Sequence, residues 1–212
     1  MSGQQGLDSP FRCHPGGNEL IDRAIKFCDF PPGSRIWDLG CGAGSTVRRL
    51  TEFHGLDALG IDSEVPVGAD RIRIVQGEAT HIPAAEASAA GILMECSFSL
   101  MPQAEVVLAE CFRVLVVGGR LILATLYARG EGAELGPWLG RVEPLASLIE
   151  RLERAGFALE SIEDASGELG ALWARLYLER GGEELRAALG TDTGRLKEAR
   201  CGYCLLIARK AG

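Results

Sequence analysis

The 212-residue chain lacks any apolar run near the roughly 18 residues that a membrane-spanning helix requires. It also has no excess of basic residues: 22 Lys and Arg stand against 29 Asp and Glu, and the formal net charge is −7. Because phosphate contacts need clustered Lys and Arg, this balance disfavours nucleic acid or an anionic membrane as the main partner. We therefore expect no nucleic-acid partner and no membrane partner.

The sequence has no disulfide framework. Its seven cysteines are odd in number and scattered through apolar runs. Cys201 and Cys204 have neither a second cysteine pair nor spaced histidines beside them, so we expect them to pack in the core and predict no metal site. Residues 1–18 are polar and glycine-rich and lack the apolar core of a signal peptide. Together these features predict free thiols in a reducing cytoplasm.

The composition that remains is that of an ordinary globular protein, with 47% hydrophobic and 24% charged residues. Short apolar runs alternate with helical patterns, which predicts an α/β fold with a mostly parallel, doubly wound sheet. Seven strands are expected, at residues 35–39, 56–62, 71–75, 91–95, 120–126, 157–162 and 203–208. Helices are expected at 18–28, with Asn18 as its N-cap, and at 45–53, 103–115 and 144–155.

Three stretches of the chain depart from a simple alternation. The connection between the second and third strands contains Pro66 and Gly68 and is too short for a normal crossover helix, so we expect a shortened second crossover. Residues 127–143 are expected to form a long loop. Two short helices, split near Gly181, are expected between the last two strands.

The most informative motif lies between the first strand and the following helix, where Asp38 precedes a loop containing Gly40, Gly42 and Gly44. Glycines allow a tight turn and let a ligand approach the backbone, and the helix N-terminus beyond presents free N–H groups. In an open α/β sheet this point borders the ligand crevice.

The acidic residues around this loop distinguish between ligands. A dinucleotide site would favour a third glycine where Ser45 stands, and Asp38 would repel a pyrophosphate. Asp62, at the end of the second strand, can accept hydrogen bonds from ribose hydroxyls. A nucleoside that carries an amino acid suits both acids, whereas a nicotinamide dinucleotide suits only Asp62.

Several motifs together resemble the class I S-adenosylmethionine (SAM)-dependent methyltransferases, a similarity that includes a ubiquinone-biosynthesis and arsenite-methyltransferase-like branch. They are the D-x-G-x-G-x-G loop at 38–44, the second-strand acid in Leu-Gly-Ile-Asp at 59–62, and Val-Gln-Gly-Glu-Ala at 75–79. Residues 112–121 are similar to the family's Arg-Val-Leu-Lys-Pro-Gly-Gly turn, with Val116 and Val117 in place of Lys-Pro, and 155–157 to its Ala-Gly-Phe. The resemblance implies the Rossmann-like methyltransferase fold in one domain, with a lid and helix at 1–32, a SAM-binding core at 33–128 and a substrate side at 129–212.

The resemblance also implies roles for single residues. Gly40, Gly42 and Gly44 would let SAM approach the backbone, with Asp38 supporting the loop and the methionine ammonium group. Asp62 would bind the ribose diol, and Glu78 the adenine amino group beside the Ala79 amide. The complete expected cofactor-binding set is Asp38, Gly40, Cys41, Gly42, Gly44, Asp62, Ser63, Glu78, Ala79 and Glu95.

Candidate catalytic residues are Glu95, Cys96 and His14. Glu95 and Cys96 follow the fourth strand and would border the methyl group and the substrate, while His14 lies in the expected N-terminal lid. In the arsenite methyltransferases a cysteine occurs in the region of Cys96, although a buried spectator thiol is the simpler interpretation here. Glu95 or His14 would act as a base only for an acceptor that is protonated at its working pH.

We therefore expect methyl transfer from SAM, with S-adenosylhomocysteine (SAH) as product, to a small-molecule acceptor, by a monomer or a homodimer. Three alternatives stay open: a metalloid or thiol methyltransferase, a catalytically silent SAM-binding protein, and an NAD(P)-dependent reductase. The sequence does not identify the acceptor.

Overall fold

The computed structural model describes residues 14–64, 73–191 and 193–212. Its strands are β1 (Arg35–Leu39), β2 (Asp57–Asp62), β3 (Ile74–Gln76), β4 (Ala89–Glu95), β5 (Leu115–Tyr127), β6 (Ala133–Glu134), β7 (Arg141–Val142), β8 (Phe157–Asp164) and β9 (Gly202–Lys210). Its helices are α1 (Gly17–Cys28), α2 (Ser45–Glu52), α3 (Ala104–Val114), α4 (Leu145–Arg154), α5 (Ser166–Arg180), α6 (Gly182–Leu189) and α7 (Thr193–Ala199).

Seven of these strands form one sheet in the order β3-β2-β1-β4-β5-β9-β8. The first five are mutually parallel, and β9 runs antiparallel to both of its neighbours. The strand order reverses between β1 and β4, so the carboxyl ends of these two strands flank the crevice in which open α/β sheets bind ligands. This arrangement confirms the predicted mostly parallel, seven-stranded α/β fold.

Helices cover both faces of the sheet because the central strands are apolar on both sides. On one face, α1 and α2 pack against alternate strand residues such as Ile36, Leu93 and Ile122. On the other face, α3 and α4 pack against the intervening residues, among them Trp37 and Met94. Since successive strand side chains point to opposite faces, both sets are needed to bury the sheet.

A separate apolar cluster lies beyond the carboxyl end of β5. The small antiparallel pair of β6 and β7 contributes Val142 and the adjoining Leu139, and α5 contributes Leu172 and Leu176. The end of α7 is attached to the same region because the N–H groups of residues 129 and 130 both donate to the carbonyl of Ala199. The cluster therefore lies beside the carboxyl end of the sheet, where a ligand would bind.

Several local predictions were wrong. Helix α1 begins after Gly16, which has a φ of 75°, and Asn18 lies within the helix instead of capping it. Residues 127–143 contain the β6–β7 pair instead of an unbroken loop, and three helices instead of two precede β9. Strand β5 includes the predicted turn at Gly118. The shortened second crossover remains a prediction, since residues 65–72 lie outside the described residues.

Candidate active site

The glycine loop joins the end of β1 to the start of α2. Gly40, Gly42 and Gly44 all have positive φ, at 74°, 52° and 75°, which glycine adopts without the steric cost of a Cβ. The N–H groups of Gly40 and Cys41 both donate to the carbonyl of Ile61, at 2.8 and 3.1 Å. The loop is therefore held against β2 and leads directly into the N-terminus of α2.

The glycines of this loop differ in what surrounds them. A Cβ at Gly40 would overlap the Cβ of Ser97, whose hydroxyl donates to the carbonyl of Leu39 at 2.6 Å. At Gly42, no atom of the described residues lies within 4 Å of an added Cβ. Gly40 is therefore required by packing within the protein, whereas Gly42 borders open space.

Asp62 fixes the open part of the loop to the tip of β2. Its Oδ2 accepts a hydrogen bond from the N–H of Gly42 at 2.7 Å, and its Oδ1 accepts one from the N–H of Glu64 at 3.0 Å. The neighbouring Ser63 is exposed, and its carbonyl accepts a hydrogen bond from Gln76 at 3.0 Å. Because a carboxylate offers about four lone-pair sites, Asp62 can accept further hydrogen bonds.

Two carboxyl groups are buried beside this loop. Asp38 is 2% exposed and Glu95 is 5% exposed. The Glu95 Oε2 accepts a hydrogen bond from the Thr46 hydroxyl at 3.0 Å. The Asp38 Oδ2 and the Glu95 Oε1 have no hydrogen-bond partner among the described residues. Buried polar atoms are nearly always paired, so two unpaired oxygens at the carboxyl ends of neighbouring strands indicate a binding site for a ligand.

The electrostatics at the carboxyl ends of β1 and β4 favour the binding of a cation. Burial raises the pKa of Asp38 well above its usual value, and the negative charges of Glu95 and Asp62 raise it further. Burial also raises the pKa of Glu95, against the opposing effects of His14 and of the Thr46 hydrogen bond. A positive group placed between Asp38 and Glu95 would favour ionisation of both.

Two of the three predicted catalytic residues are close in space. His14 is partly buried just before α1, and it lies near enough to Glu95 for its charge to act on the Glu95 pKa. The carbonyl of His14 accepts a hydrogen bond from the N–H of Gly17 at 3.0 Å. His14 therefore lies near the carboxyl end of β4.

Cys96 directly follows β4 and has a positive φ of 54°. Its Sγ lies 3.0 Å from the Tyr203 hydroxyl, and burial raises its pKa to about 12, so the thiol is protonated at neutral pH. The described residues contain no group of three or more His, Cys, Asp or Glu that could hold a metal ion. These contacts agree with a structural thiol.

The remaining predicted cofactor-binding residues lie around the same carboxyl end of the sheet. Glu78 is exposed in the turn after β3, where its carbonyl accepts a hydrogen bond from the N–H of His81 at 3.0 Å, and Ala79 is partly buried beside it. The side chain of Cys41 packs over Gly60, where an added Cβ would overlap its sulfur. Cys41 therefore faces β2, away from the open side of the loop.

Sequence reasoning missed three residues that shape the site: Thr46, Ser97 and Tyr203. Thr46 could have been noticed as the second residue of the helix that follows the glycine loop, a position that faces the strand tips. Ser97 and Tyr203 carry no recognisable signal, because their partners, Leu39 and Cys96, are far away in sequence.

A family of known proteins matches the part of the chain that contains the glycine loop. The family described as "Methyltransferase domain" matches residues 37–123, which include the end of β1, the glycine loop and most of β5. This match covers 87 of the chain's 212 residues, and together with the sheet order and the curated relatives below it supports a class I SAM-dependent methyltransferase. It is an enzyme of that class, and SAM is its cofactor.

Among curated proteins, the chain is 29% identical to the 27-O-demethylrifamycin SV methyltransferase of Amycolatopsis mediterranei, over 90% of this chain and 82% of that protein. It is 25% identical to a sterol 24-C-methyltransferase of Gibberella zeae, over 72% of this chain and 49% of that protein. The chain thus spans most of the first relative and about half of the second.

Among solved structures, the chain is similar to the [4+2]-cyclase SpnF, with a TM-score of 0.73, 24% identity, and coverage of 92% of this chain and 80% of that one. It is also similar to phosphoethanolamine N-methyltransferase 2 of Haemonchus contortus in complex with SAM, with a TM-score of 0.74 and 16% identity over 94% of this chain and 54% of that one. At these identities the two structures support the fold alone. Among the described residues, no helix is long and apolar enough to cross a membrane.

The residues of this chain fit SAM. The unpartnered oxygens of Asp38 and Glu95 are suited to a buried ammonium group, which would supply the missing hydrogen bonds. The open space at Gly42 lets a ligand approach the backbone next to Asp62. The loop and the three carboxyl groups therefore match a nucleoside that carries a positively charged amino acid.

Proposed function

We propose that the protein transfers a methyl group from SAM to a small-molecule acceptor at the carboxyl ends of β1 and β4. The observation that carries this proposal is the pair of buried carboxyl groups, Asp38 and Glu95, each with an oxygen unpartnered among the described residues. Such a pair is costly unless a ligand completes it. The curated relatives support an acceptor of small-molecule size, such as the rifamycin derivative named for one of them.

We assign the cofactor-binding roles as follows. Asp38, supported by the charge of Glu95, receives the ammonium group, and Asp62 accepts hydrogen bonds from the ribose hydroxyls while it holds Gly42. Glu78 and the Ala79 amide lie at the end of β3, two strands from β1, where they would contact the adenine. Gly40, Cys41, Gly44 and Ser63 contribute backbone shape around these groups.

Bound SAM supplies an electrophilic methyl group on a sulfonium, so the protein mainly has to align the acceptor and exclude water. We assign to His14 the role of accepting a proton from an acceptor that must lose one, because its charge acts on Glu95, whose carboxylate would stabilise the resulting imidazolium. Cys96, fixed by the Tyr203 hydroxyl, borders the acceptor as a neutral wall.

Calorimetry with SAM, SAH and NADPH tests the proposal, followed by transfer of labelled methyl groups from SAM to a panel of small molecules. We expect binding of SAM and SAH, no binding of NADPH, and transfer to at least one acceptor. The Asp38→Asn variant should lose most SAM affinity. Binding of NADPH alone would contradict the proposal, and SAM binding without transfer to any acceptor would favour a silent SAM-binding protein.

The metalloid alternative is not favoured by the surroundings of Cys96. Its thiol is protonated and contacts Tyr203, and no cluster of three ligand residues was found in the part of the chain that the structure describes. Trivalent arsenic would need several thiolates. An arsenite methylation assay with Cys96→Ser checks this point, because only a metalloid enzyme would have an arsenite activity for that variant to lose.

A further inference from the structure

A cavity of about 250 Å³ lies where the end of β5 meets the apolar cluster that β6, β7, α5 and α7 form beyond it. Its walls come from the end of β5, the segment between β6 and β7, helices α5 and α7, and the residue just before β9. The lining residues are Leu126, Leu139, Trp173, Leu196 and Cys201.

The chemistry of this cavity is apolar. None of its lining residues is charged, and burial raises the pKa of the Cys201 thiol, which keeps it neutral. A charged molecule would lose its hydration there and meet no opposite charge among the lining residues, which disfavours its binding. An apolar molecule would instead gain about 25 cal/mol for each Å² of its surface removed from water.

The volume of the cavity sets the size of its occupant. An apolar protein cavity of about 150 Å³ is enough to bind benzene. The cavity here is larger, and it would take a substituted ring or one end of a longer apolar molecule. A second cavity, beside Phe98 and Thr125, measures only about 20 Å³ and has room for no more than a water molecule.

The position of the cavity connects it to the candidate active site. Glu95 is paired in register with Ala124 on the neighbouring strand. Leu126 lies two residues beyond Ala124 and therefore points to the same face of the sheet, about 7 Å further along the strand at about 3.3 Å per residue. The cavity thus begins just past the end of β4, which carries the buried carboxyl group of Glu95.

We propose that this cavity is the acceptor site and that the acceptor is an apolar small molecule, or one with an apolar end of about the size of a substituted benzene ring. The inference rests on the proposed methyl transfer and narrows the substrate class of that same site. Small zwitterions and phosphorylated amines are excluded by the same argument, because the lining residues offer them no opposite charge.

Two phenols that share a ring and a hydroxyl group test the proposal: para-propylphenol, which is apolar, and para-hydroxybenzoate, which carries a carboxylate. Binding of each to the SAH-bound protein is measured by calorimetry. We expect para-propylphenol to bind about tenfold or more tightly than para-hydroxybenzoate, since each buried methylene strengthens binding about fourfold.

Three variants locate the binding. Leu196→Gln places a polar amide in a partly buried wall, and Leu139→Phe fills the cavity while it keeps the wall apolar. Both should weaken para-propylphenol binding about tenfold and leave SAM affinity unchanged. Leu178→Gln is the matched control, because Leu178 is 85% exposed on α5 and outside the cavity. Thermal melting verifies that each variant is folded.

The outcomes separate the inference from the proposed function. A wild-type protein that fails to bind SAM contradicts the proposed function itself. If SAM binds, the inference is overturned when para-propylphenol does not bind, when the two phenols bind equally, or when both cavity variants bind para-propylphenol as tightly as Leu178→Gln does. Preferential binding that both folded cavity variants weaken, with SAM affinity intact, supports it.

Discussion

The backbone N–H of Gly42 donates a 2.7 Å hydrogen bond to the carboxylate of Asp62, which ties the open part of the glycine loop to the tip of β2. The second oxygen of Asp62 is held by the N–H of Glu64 at 3.0 Å, so the carboxylate has a fixed orientation before any ligand binds. A charged acceptor that is already oriented costs a ligand little additional entropy. Asp62 can therefore both shape the loop and bind the ligand.

Replacing Asp62 with Ala should weaken SAM binding at least about tenfold, because it removes a charged acceptor and releases Gly42 from β2. Calorimetry with SAM measures the change. Asp57→Asn is the matched control: Asp57 lies at the opposite end of the same strand and is paired with Arg35 and Arg73. The control should lower stability and leave SAM affinity unchanged. Equal SAM affinities in both variants would show that Asp62 does not contribute to SAM binding.

Long, strongly patterned elements of the fold were predictable from the sequence. The pattern placed β1 at Arg35–Leu39 as observed, and α2 within one residue of its observed end at Glu52, because an apolar run bounded by glycines leaves few alternatives. Strands of two residues, such as Ala133–Glu134, have no alternation to detect, so the β6–β7 pair was missed. The cap of α1 was also missed, because Gly16 in a left-handed conformation replaced the expected Asn18.

The candidate site was predictable only in part. The glycine loop and Asp62 are local in sequence and could be identified directly. The proximity of His14 to Glu95 depends on the tertiary packing of α1 against the sheet, and the cavity requires Leu126, Leu139 and Leu196 to converge from separate elements. Such tertiary relationships leave no periodic pattern in one sequence.

The buried carboxyl group of Asp38 should make the cofactor-free protein less stable as the pH rises. Its pKa is raised in the folded state, mainly by burial, so the folded protein holds a proton that the unfolded chain has already lost. Stability from this group is therefore complete below the usual carboxyl range and is lost as the pH rises towards the raised pKa.

Asp38→Asn carries no ionisable group at this position, so its melting temperature relative to wild type should increase between acidic and neutral pH. Calorimetric melts of both proteins without SAM, at a series of pH values, measure this difference. A difference that is constant with pH would show that Asp38 does not titrate as a buried carboxyl. The same variant should lose SAM affinity, which separates the role in stability from the role in binding.

Gly42→Val should abolish SAM binding and leave a folded protein. The described protein atoms leave space for a side chain at Gly42, so the added methyl groups would extend into the region left for the ligand. The positive φ of 52° adds a strain of about 1–2 kcal/mol to the fold. Circular dichroism and calorimetry with SAM measure the two effects separately.

Gly118→Val is the matched control for this change. Gly118 has a φ of 78°, and no described atom lies within 4 Å of an added Cβ. It lies near the amino end of β5, just before Arg120, at which the continuous pairing of β5 with β4 begins. Both variants should lose similar stability, while only Gly42→Val loses SAM. Retention of full SAM affinity by Gly42→Val would place the cofactor elsewhere.

His14→Ala should reduce kcat by about 100-fold or more for an acceptor that must be deprotonated, because general bases typically contribute 10²–10⁴. SAM affinity should change little, since His14 acts on Glu95 through charge and is not assigned to the cofactor. His54→Ala is the matched control: His54 is bound to Asp22 at 2.8 Å, away from the glycine loop, and its loss should leave kcat intact. Full kcat in His14→Ala would show that the acceptor needs no base from this residue.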